Sequence, residues 1–170
     1  LGPEMRSTGE VLGMAPTFGL AYFKAEEAAQ PALPLQGTVF ISVTPRDKPE
    51  ILDVARKFQD LGFRITATGG TCRFLQESGV KCDLSHKIHE GQRPNILDEV
   101  MSKGIQLIIN TPIGKAGSHD DGYIRKAAVK YKIPYVTTVA AAKAAVQGIA
   151  EYRRGHGAVK SLQSYHADIG

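Results

Sequence analysis

Phe63-Arg64-Ile65-Thr66-Ala67-Thr68-Gly69-Gly70-Thr71 is a strand pattern that runs straight into a Gly-Gly turn. Phe63–Ala67 reads as a strand, and a short helix follows the glycines to Ser78, where Gly79 closes it. The same alternation extends to both sides. Upstream, Thr38–Val43 is a β-branched apolar run, and Asp47 can cap a helix that carries Ile51, Val54, Ala55 and Phe58 on one face. Downstream, Lys81–Ser85 is a strand, Pro94–Met101 a helix with proline near its first turn, and Gln106–Asn110 a strand apolar on both faces. A helix beginning at Asp120 or Asp121 turns Ile124, Ala127, Ala128 and Tyr131 inward. Pro134–Thr137 is the fifth strand, and Val139–Ala150 the last helix of the block.

Five strands separated by helices predict a parallel sheet covered on both faces, a three-layer α/β/α sandwich. Right-handed crossovers limit the possible strand orders. Ligands of such sheets bind beyond the carboxyl ends of the strands, where the order reverses. The order 3-2-1-4-5 sets strand 1 between strands 2 and 4, which lets the loops after all three converge.

The 170 residues allow one ordinary domain with appendages. With 42% hydrophobic residues the chain can build a core without staples, so disorder is excluded as the main reading. A membrane span is excluded as well: apolar runs such as Val139–Val146 are short and broken by Lys143. No secretory signal is present, and a cytoplasmic setting is expected. The chain opens Leu1-Gly2-Pro3 without methionine, which suggests a piece of a longer protein. Residues 1–36 form a first unit, with a helix at Thr17–Gln30 whose face is Phe18, Ala21, Tyr22 and Ala25. Pro31, Pro34 and Gly37 end it, residues 37–150 form the main domain, and 151–170 a tail.

Net charge is +4, and the excess lies in the middle block, since residues 1–36 set Arg6 and Lys24 against four glutamates. A modest excess suits a small anionic ligand. It does not point to nucleic acid, which calls for basic stripes or stacking aromatics. Cys72 and Cys82 match no zinc or redox spacing and read as free thiols in a reducing compartment.

The strand-end loops carry the chemistry. They hold Ser42 and Lys48 after strand 1, Thr68-Gly69-Gly70-Thr71 after strand 2, Lys87 after strand 3, and Asn110-Thr111 after strand 4. Glycines allow positive φ and close approach of the backbone to a ligand. A helix N-terminus offers free N–H groups and a dipole that favours phosphate. Two lysines from different loops, Lys48 and Lys87, would supply the countercharge. The expected site is therefore a phosphate pocket with no metal: His86 and His89 flank Lys87, which would repel a cation.

These residues carry a family resemblance. The Ser42…Asp47-Lys48 loop, Ala67-Thr68-Gly69-Gly70-Thr71, Lys87-Ile88-His89-Glu90-Gly91, Ile109-Asn110-Thr111 and Tyr135-Val136-Thr137-Thr138 resemble the methylglyoxal-synthase-like domain. The leading segment Leu1–Val11 resembles the end of the second ATP-using half of carbamoyl phosphate synthetase large chains. Nearly the whole chain thus looks like the carboxyl-terminal end of that family, an allosteric regulatory domain. The resemblance implies nucleoside monophosphate effectors, UMP as inhibitor and IMP as activator. It implies phosphate ligands Lys48, Thr68, Gly70, Thr71 and Lys87, with Ser42, Gly69, Asn110 and Thr111 on the nucleoside side. It also implies partners: the remainder of the large subunit and a glutamine-hydrolysing small subunit, with oligomerisation possible. The parent enzyme would use ATP with Mg or Mn in pyrimidine and arginine biosynthesis, whereas this segment needs no cofactor and is expected to be non-catalytic.

Two departures from the family pattern matter. Pro112 stands where relatives place a further donor hydroxyl. Tyr135 and Thr137 match part of an ornithine site, but Val136 stands where ornithine-responsive relatives carry aspartate, so ornithine activation is expected to be weak or absent. The alternative reading is a methylglyoxal synthase-type lyase acting on dihydroxyacetone phosphate. That chemistry needs a carboxylate base, which the resemblance places as an aspartate directly after a Gly-Gly pair in the loop after strand 3; here Gln92 and Arg93 stand there, and Glu90, the acid of that loop, sits at a different position. His119-Asp120 resembles part of the synthase's electrophile loop, with Asp120 equally read as a helix cap.

Overall fold

The computed structural model describes residues 11–29, 31–111, 118–156 and 159–167. The leading motif at 1–10, Pro112 and the side chain of His119 lie outside the described residues. Strands β1 (Thr38–Ser42), β2 (Arg64–Ala67), β3 (Asp83–Leu84), β4 (Leu107–Asn110) and β5 (Tyr135–Val136) form one sheet in the order β3-β2-β1-β4-β5. All pairs are parallel, as expected. Ile41 pairs with Ala67 and Ile109, and Ser42 with Asn110, so the carboxyl ends of β1, β2 and β4 lie level.

The pleat sends alternate residues into two cores. Val39, Ile41, Ile65, Leu107 and Ile109 face a larger core, closed by α2 (Lys48–Asp60), α3 (Gly69–Glu77) and α6 (Val139–Glu151). Phe40 and Ile108 face a smaller one, closed by Ile96 and Val100 of α4 (Ile96–Met101) and Ile124 and Ala128 of α5 (Ser118–Tyr131). Leftward connections from β1 use α2 and α3 on one face, and rightward ones use α4 and α5 on the other. Right-handed crossovers require that switch. On α2 the anticipated face Ile51, Val54, Ala55 and Phe58 is wholly buried. A side chain such as Phe58 contributes roughly 1.5–3 kcal/mol by that burial.

Three helix starts differ from expectation. At α2 Asp47 holds the anticipated N-cap position but its side chain makes no capping bond: it also ends a 3₁₀ turn (Pro45–Asp47), and its Oδ2 accepts a bond from Thr44 Oγ1 at 2.9 Å. Pro94 stays outside α4 because Asn95 is the cap, its Oδ1 accepting from Leu97 N at 3.0 Å and Asp98 N at 3.3 Å. Helix α5 begins at Ser118, which moves Asp120 from the cap into the first turn.

The N-terminal helix α1 (Phe18–Ala29) packs on α6. Leu20 and Phe23 are buried, and the Phe23 ring stacks on Tyr152 at 4.4 Å between centroids. Leu33, in the connection to β1, joins the larger core. In the tail, α7 (Leu162–Ala167) returns to the N-terminal segment, where Tyr165 Oη donates to Met14 O at 2.9 Å. Arg153 does not point freely into solvent. It donates to Leu61 O at 2.5 Å, and its guanidinium lies over the Phe63 ring. Cys72 and Cys82 are free and buried. No described helix is long and apolar enough to cross a membrane.

Candidate anion-binding site

The level strand ends make a cup from three loops. At its centre Lys48, the first residue of α2, reaches across to the first turn of α3, and its Nζ donates to Gly70 O at 2.7 Å. Thr68 Oγ1 lies 3.4 Å from Ser42 Oγ, and Thr71 Oγ1 accepts from Val43 N at 3.4 Å. From the other side, Thr111 N donates to Ser42 O and Thr111 Oγ1 accepts from Thr44 N, both at 3.0 Å. The hydroxyls of Thr68, Thr71 and Thr111 are therefore buried clasps between loops as well as polar groups of the cup.

Thr68 occupies the N-cap of α3, but its side chain makes no capping bond. The first bonds of the turn run from Thr71 N and Cys72 N to Thr68 O, both at 2.8 Å. No capping side chain thus covers the amides of Gly69 and Gly70, which an α-helix leaves without partners. Both glycines are exposed, and neither has a positive φ. Their role differs from the one anticipated. They are ordinary helical residues whose missing side chains keep the amides open, and a Cβ on Gly70 would lie 3.8 Å from Lys48 Nζ. Free amides, a helix N-terminus and an ammonium at one spot form an anion receptor.

Asn110, buried at the end of β4, donates through Nδ2 to Asp121 Oδ1 at 2.9 Å and to Tyr135 Oη at 2.7 Å. Burial raises the Tyr135 phenol above its ordinary value, against the lowering effect of the Asn110 bond. Tyr135 and exposed Thr137 line an open groove of about 670 Å³ with Glu26, Pro31 and Arg125, rather than the cup itself.

Lys87 stands past β3 at the same sheet edge, half-buried at the start of the 3₁₀ turn Ile88–Glu90. Its backbone N donates to Glu90 Oε2 at 3.1 Å. Among the described residues no hydrogen bond joins its ammonium to the Lys48 group, so the structure gathers Ser42, Lys48, Thr68, Gly70, Thr71 and Thr111 more tightly than Lys87. In the same loop Arg93 is paired with Asp98, its Nη2 and Nε donating at 2.7 and 3.1 Å. No acid occupies positions 92 and 93, where the lyase reading would require one.

Sequence reasoning missed the role of the first turn of α5. Asp120 Oδ2 lies 2.5 Å from His89 Nδ1, and Asp121 holds Asn110. The sequence carries no signal for the first pairing beyond the residues themselves, which lie thirty-one positions apart.

Comparisons with known proteins agree with this architecture. The carbamoyl phosphate synthase large chain of Archaeoglobus fulgidus is 53% identical over 169 residues, 99% of this chain and 16% of that protein. The carbamoyl phosphate synthase large chain, C-terminal section, of Methanopyrus kandleri is 52% identical over 167 residues, 98% of this chain and 31% of that protein. The chain thus spans less than a third of either relative. The crystal structure of methylglyoxal synthase from Elizabethkingia anophelis NUHP1 superposes with a TM-score of 0.56 at 16% identity, covering 67% of this chain and 79% of the other, which speaks for the fold alone. The MGS-like domain family matches residues 50–137, from α2 through the end of β5. With that match over more than half of its length and the anticipated sheet order in place, the chain belongs to the MGS-like domain family.

Proposed function

We propose that this domain is the regulatory module of a carbamoyl phosphate synthase large chain and binds a nucleoside monophosphate in the strand-end cup. The observation that carries the reading is the Lys48 ammonium held 2.7 Å from Gly70 O, beside the uncapped amides of Gly69 and Gly70. A phosphate monoester there would replace the carbonyl contact with charge-assisted bonds from Lys48 and the helix amides. Lys87 would approach from the flank on ligand binding. Ser42, Asn110 and Thr111 would meet the nucleoside. The near-complete match to large chains named carbamoyl phosphate synthase supports the regulatory role.

UMP is the proposed inhibitor and IMP the proposed activator. Regulation requires that each bind two states of the whole enzyme unequally, with coupling of about 1–3 kcal/mol, and that substrates change effector affinity reciprocally. The remainder of the large subunit and the glutamine-hydrolysing small subunit are the partners in this reading, and supply of carbamoyl phosphate for pyrimidine and arginine synthesis is its setting. Titration calorimetry with UMP and IMP tests it. The chain is expected to bind at least one nucleotide, and Lys48→Ala is expected to weaken that binding about tenfold or more. If neither nucleotide binds, or if Lys48→Ala binds as the parent does, the assignment fails. Conversion of dihydroxyacetone phosphate to methylglyoxal would establish the lyase instead.

A further inference from the structure

We propose that Asp121 is a positioning residue that fixes the Asn110 amide with its oxygen toward the cup, so that the cup selects phosphate monoesters whose sugar hydroxyl donates a hydrogen bond there; the inference rests on the nucleotide-binding reading above and deepens it. Asn110 ends β4 and is in register with Ser42 of β1. Residues two apart on a strand share a face. Phe40 and Ile108 face the smaller core, so Ser42 and Asn110 lie on that same face, one step nearer the strand ends. Thr68 follows β2, and its Oγ1 lies 3.4 Å from Ser42 Oγ. Thr68, Ser42 and Asn110 thus form one polar row across three strands, each about 4.8 Å from the next. The row starts beside the open amides of α3 and ends at Asn110. In a nucleotide the sugar hydroxyls are the donors nearest the phosphate, which makes them the groups that reach along this row.

Both hydrogens of the Asn110 amide are committed. Its Nδ2 donates to Asp121 Oδ1 at 2.9 Å and to Tyr135 Oη at 2.7 Å. Tyr135 belongs to β5, which lies on the far side of β4 from β1. The amide nitrogen therefore turns away from the cup, and the oxygen turns toward Ser42. Among the described residues no hydrogen bond reaches Asn110 Oδ1, and no buried side-chain oxygen or nitrogen lacks a partner. The 1% of Asn110 that stays exposed therefore includes Oδ1. The two partners differ in what they enforce. A phenol hydroxyl donates or accepts, so Tyr135 tolerates the amide either way round, whereas a carboxylate only accepts. Asp121 alone forbids the flipped amide, in which two oxygens would face each other. With its oxygen toward the cup, Asn110 is an acceptor. A ligand hydroxyl satisfies it, and a ligand without a donor leaves it unpaired.

UMP and IMP are the probes, each compared with its 2′-deoxy-2′-fluoro and 3′-deoxy-3′-fluoro forms, because fluorine fills the place of the hydroxyl and cannot donate. Titration calorimetry reads the ratio of affinities. The parent chain is expected to prefer the natural nucleotide over one of its fluoro forms by about threefold to tenfold. Asp121→Asn keeps the shape of the side chain but bonds Asn110 in either orientation, so the ratio is expected to fall close to one. Asp121→Ala leaves only the phenol and is expected to do the same, which keeps the test decisive if one variant does not fold. Tyr135→Phe is expected to retain the parent ratio, because Asp121 still sets the amide. A merely structural role would weaken natural and fluoro forms alike and leave the ratio in every variant. That result, or a parent without preference, overturns the proposal. Lys48→Ala separates the two levels of inference, since it is expected to weaken natural and fluoro forms equally. A parent that binds none of the nucleotides, or binding that ignores Lys48→Ala, sinks the cup itself. Loss with Lys48→Ala and an unaltered ratio in both Asp121 variants sinks only the role of Asp121.

Discussion

Gly148 on α6 faces Gly19 on α1 so closely that a Cβ on Gly148 would lie 2.2 Å from the Gly19 carbonyl oxygen. The reverse substitution meets Gln147 side-chain and Gly148 backbone atoms within 3.0 Å. Two glycines at the crossing let the helix backbones touch, which brings Leu20 and Phe23 into burial. The first helix is therefore part of the packed body, but through Gly19, Leu20 and Phe23 rather than the anticipated Phe18, Ala21, Tyr22 and Ala25; Phe18 is exposed, and the other three are only partly buried.

From that contact, Gly148→Ala is expected to destabilise the chain by about 1–3 kcal/mol, since the obstacle is backbone and cannot swing aside. Gly122→Ala on α5 is the control. It meets nothing within 4 Å and should be neutral or stabilising by up to about 1 kcal/mol. Urea unfolding of the two variants measures both, and equal midpoints would show that the crossing is looser than described.

Gly70→Ala separates binding from stability. Its Cβ would enter ordinary contact with Lys48 Nζ, at 3.8 Å, and alanine favours a helical position over glycine. The variant is expected to keep or slightly raise its melting temperature while losing phosphate affinity, because the methyl group fills the space in front of the open amides. Thermal unfolding with and without inorganic phosphate reads both effects, the ligand-induced rise being the part that disappears.

Tyr135→Phe removes one acceptor from Asn110 and leaves the bond to Asp121. A lost bond to a buried amide costs about 0.5–1.5 kcal/mol. Chemical unfolding should show that loss. Nucleotide affinity should fall less than in Lys48→Ala, since Asn110 keeps its second anchor.

The sheet order and the two cores were legible because they follow from short-range patterns. The β-branched run at Thr38–Ser42 and the i, i+3, i+4, i+7 face of α2 need only local periodicity, and right-handed connection does the rest. The convergence of Lys48 with Gly70 was legible for the same reason: neighbouring parallel strands end level. Helix starts were less so: Asn95 beside Pro94 takes the cap of α4, and α5 begins at Ser118, two residues ahead of Asp120. Least legible was the pairing of His89 with Asp120. It joins residues thirty-one positions apart through the loop after β3, and no period or spacing encodes that contact.

Glu99 gives the stability of this fold a specific pH dependence. Its carboxyl is half-buried on α4, and its Oε1 accepts from Ser85 Oγ at 2.8 Å. Burial raises its pKa above the ordinary carboxylate value, outweighing the lowering effects of the Ser85 bond and of His86. A raised value means that the folded state holds the proton more tightly than the unfolded chain. The associated stability is therefore fully present below the ordinary glutamate range and is lost as pH rises through the folded value. Glu99→Gln keeps an acceptor for Ser85 and carries no charge, so it should melt at a slightly higher temperature than the parent at pH 7. The advantage should shrink toward pH 4, where the parent carboxyl is protonated. Calorimetric melting at pH 4, 5, 6 and 7 reads the difference directly. An advantage that grows on acidification would mean that the ionised carboxylate, not the protonated one, is the form the fold prefers.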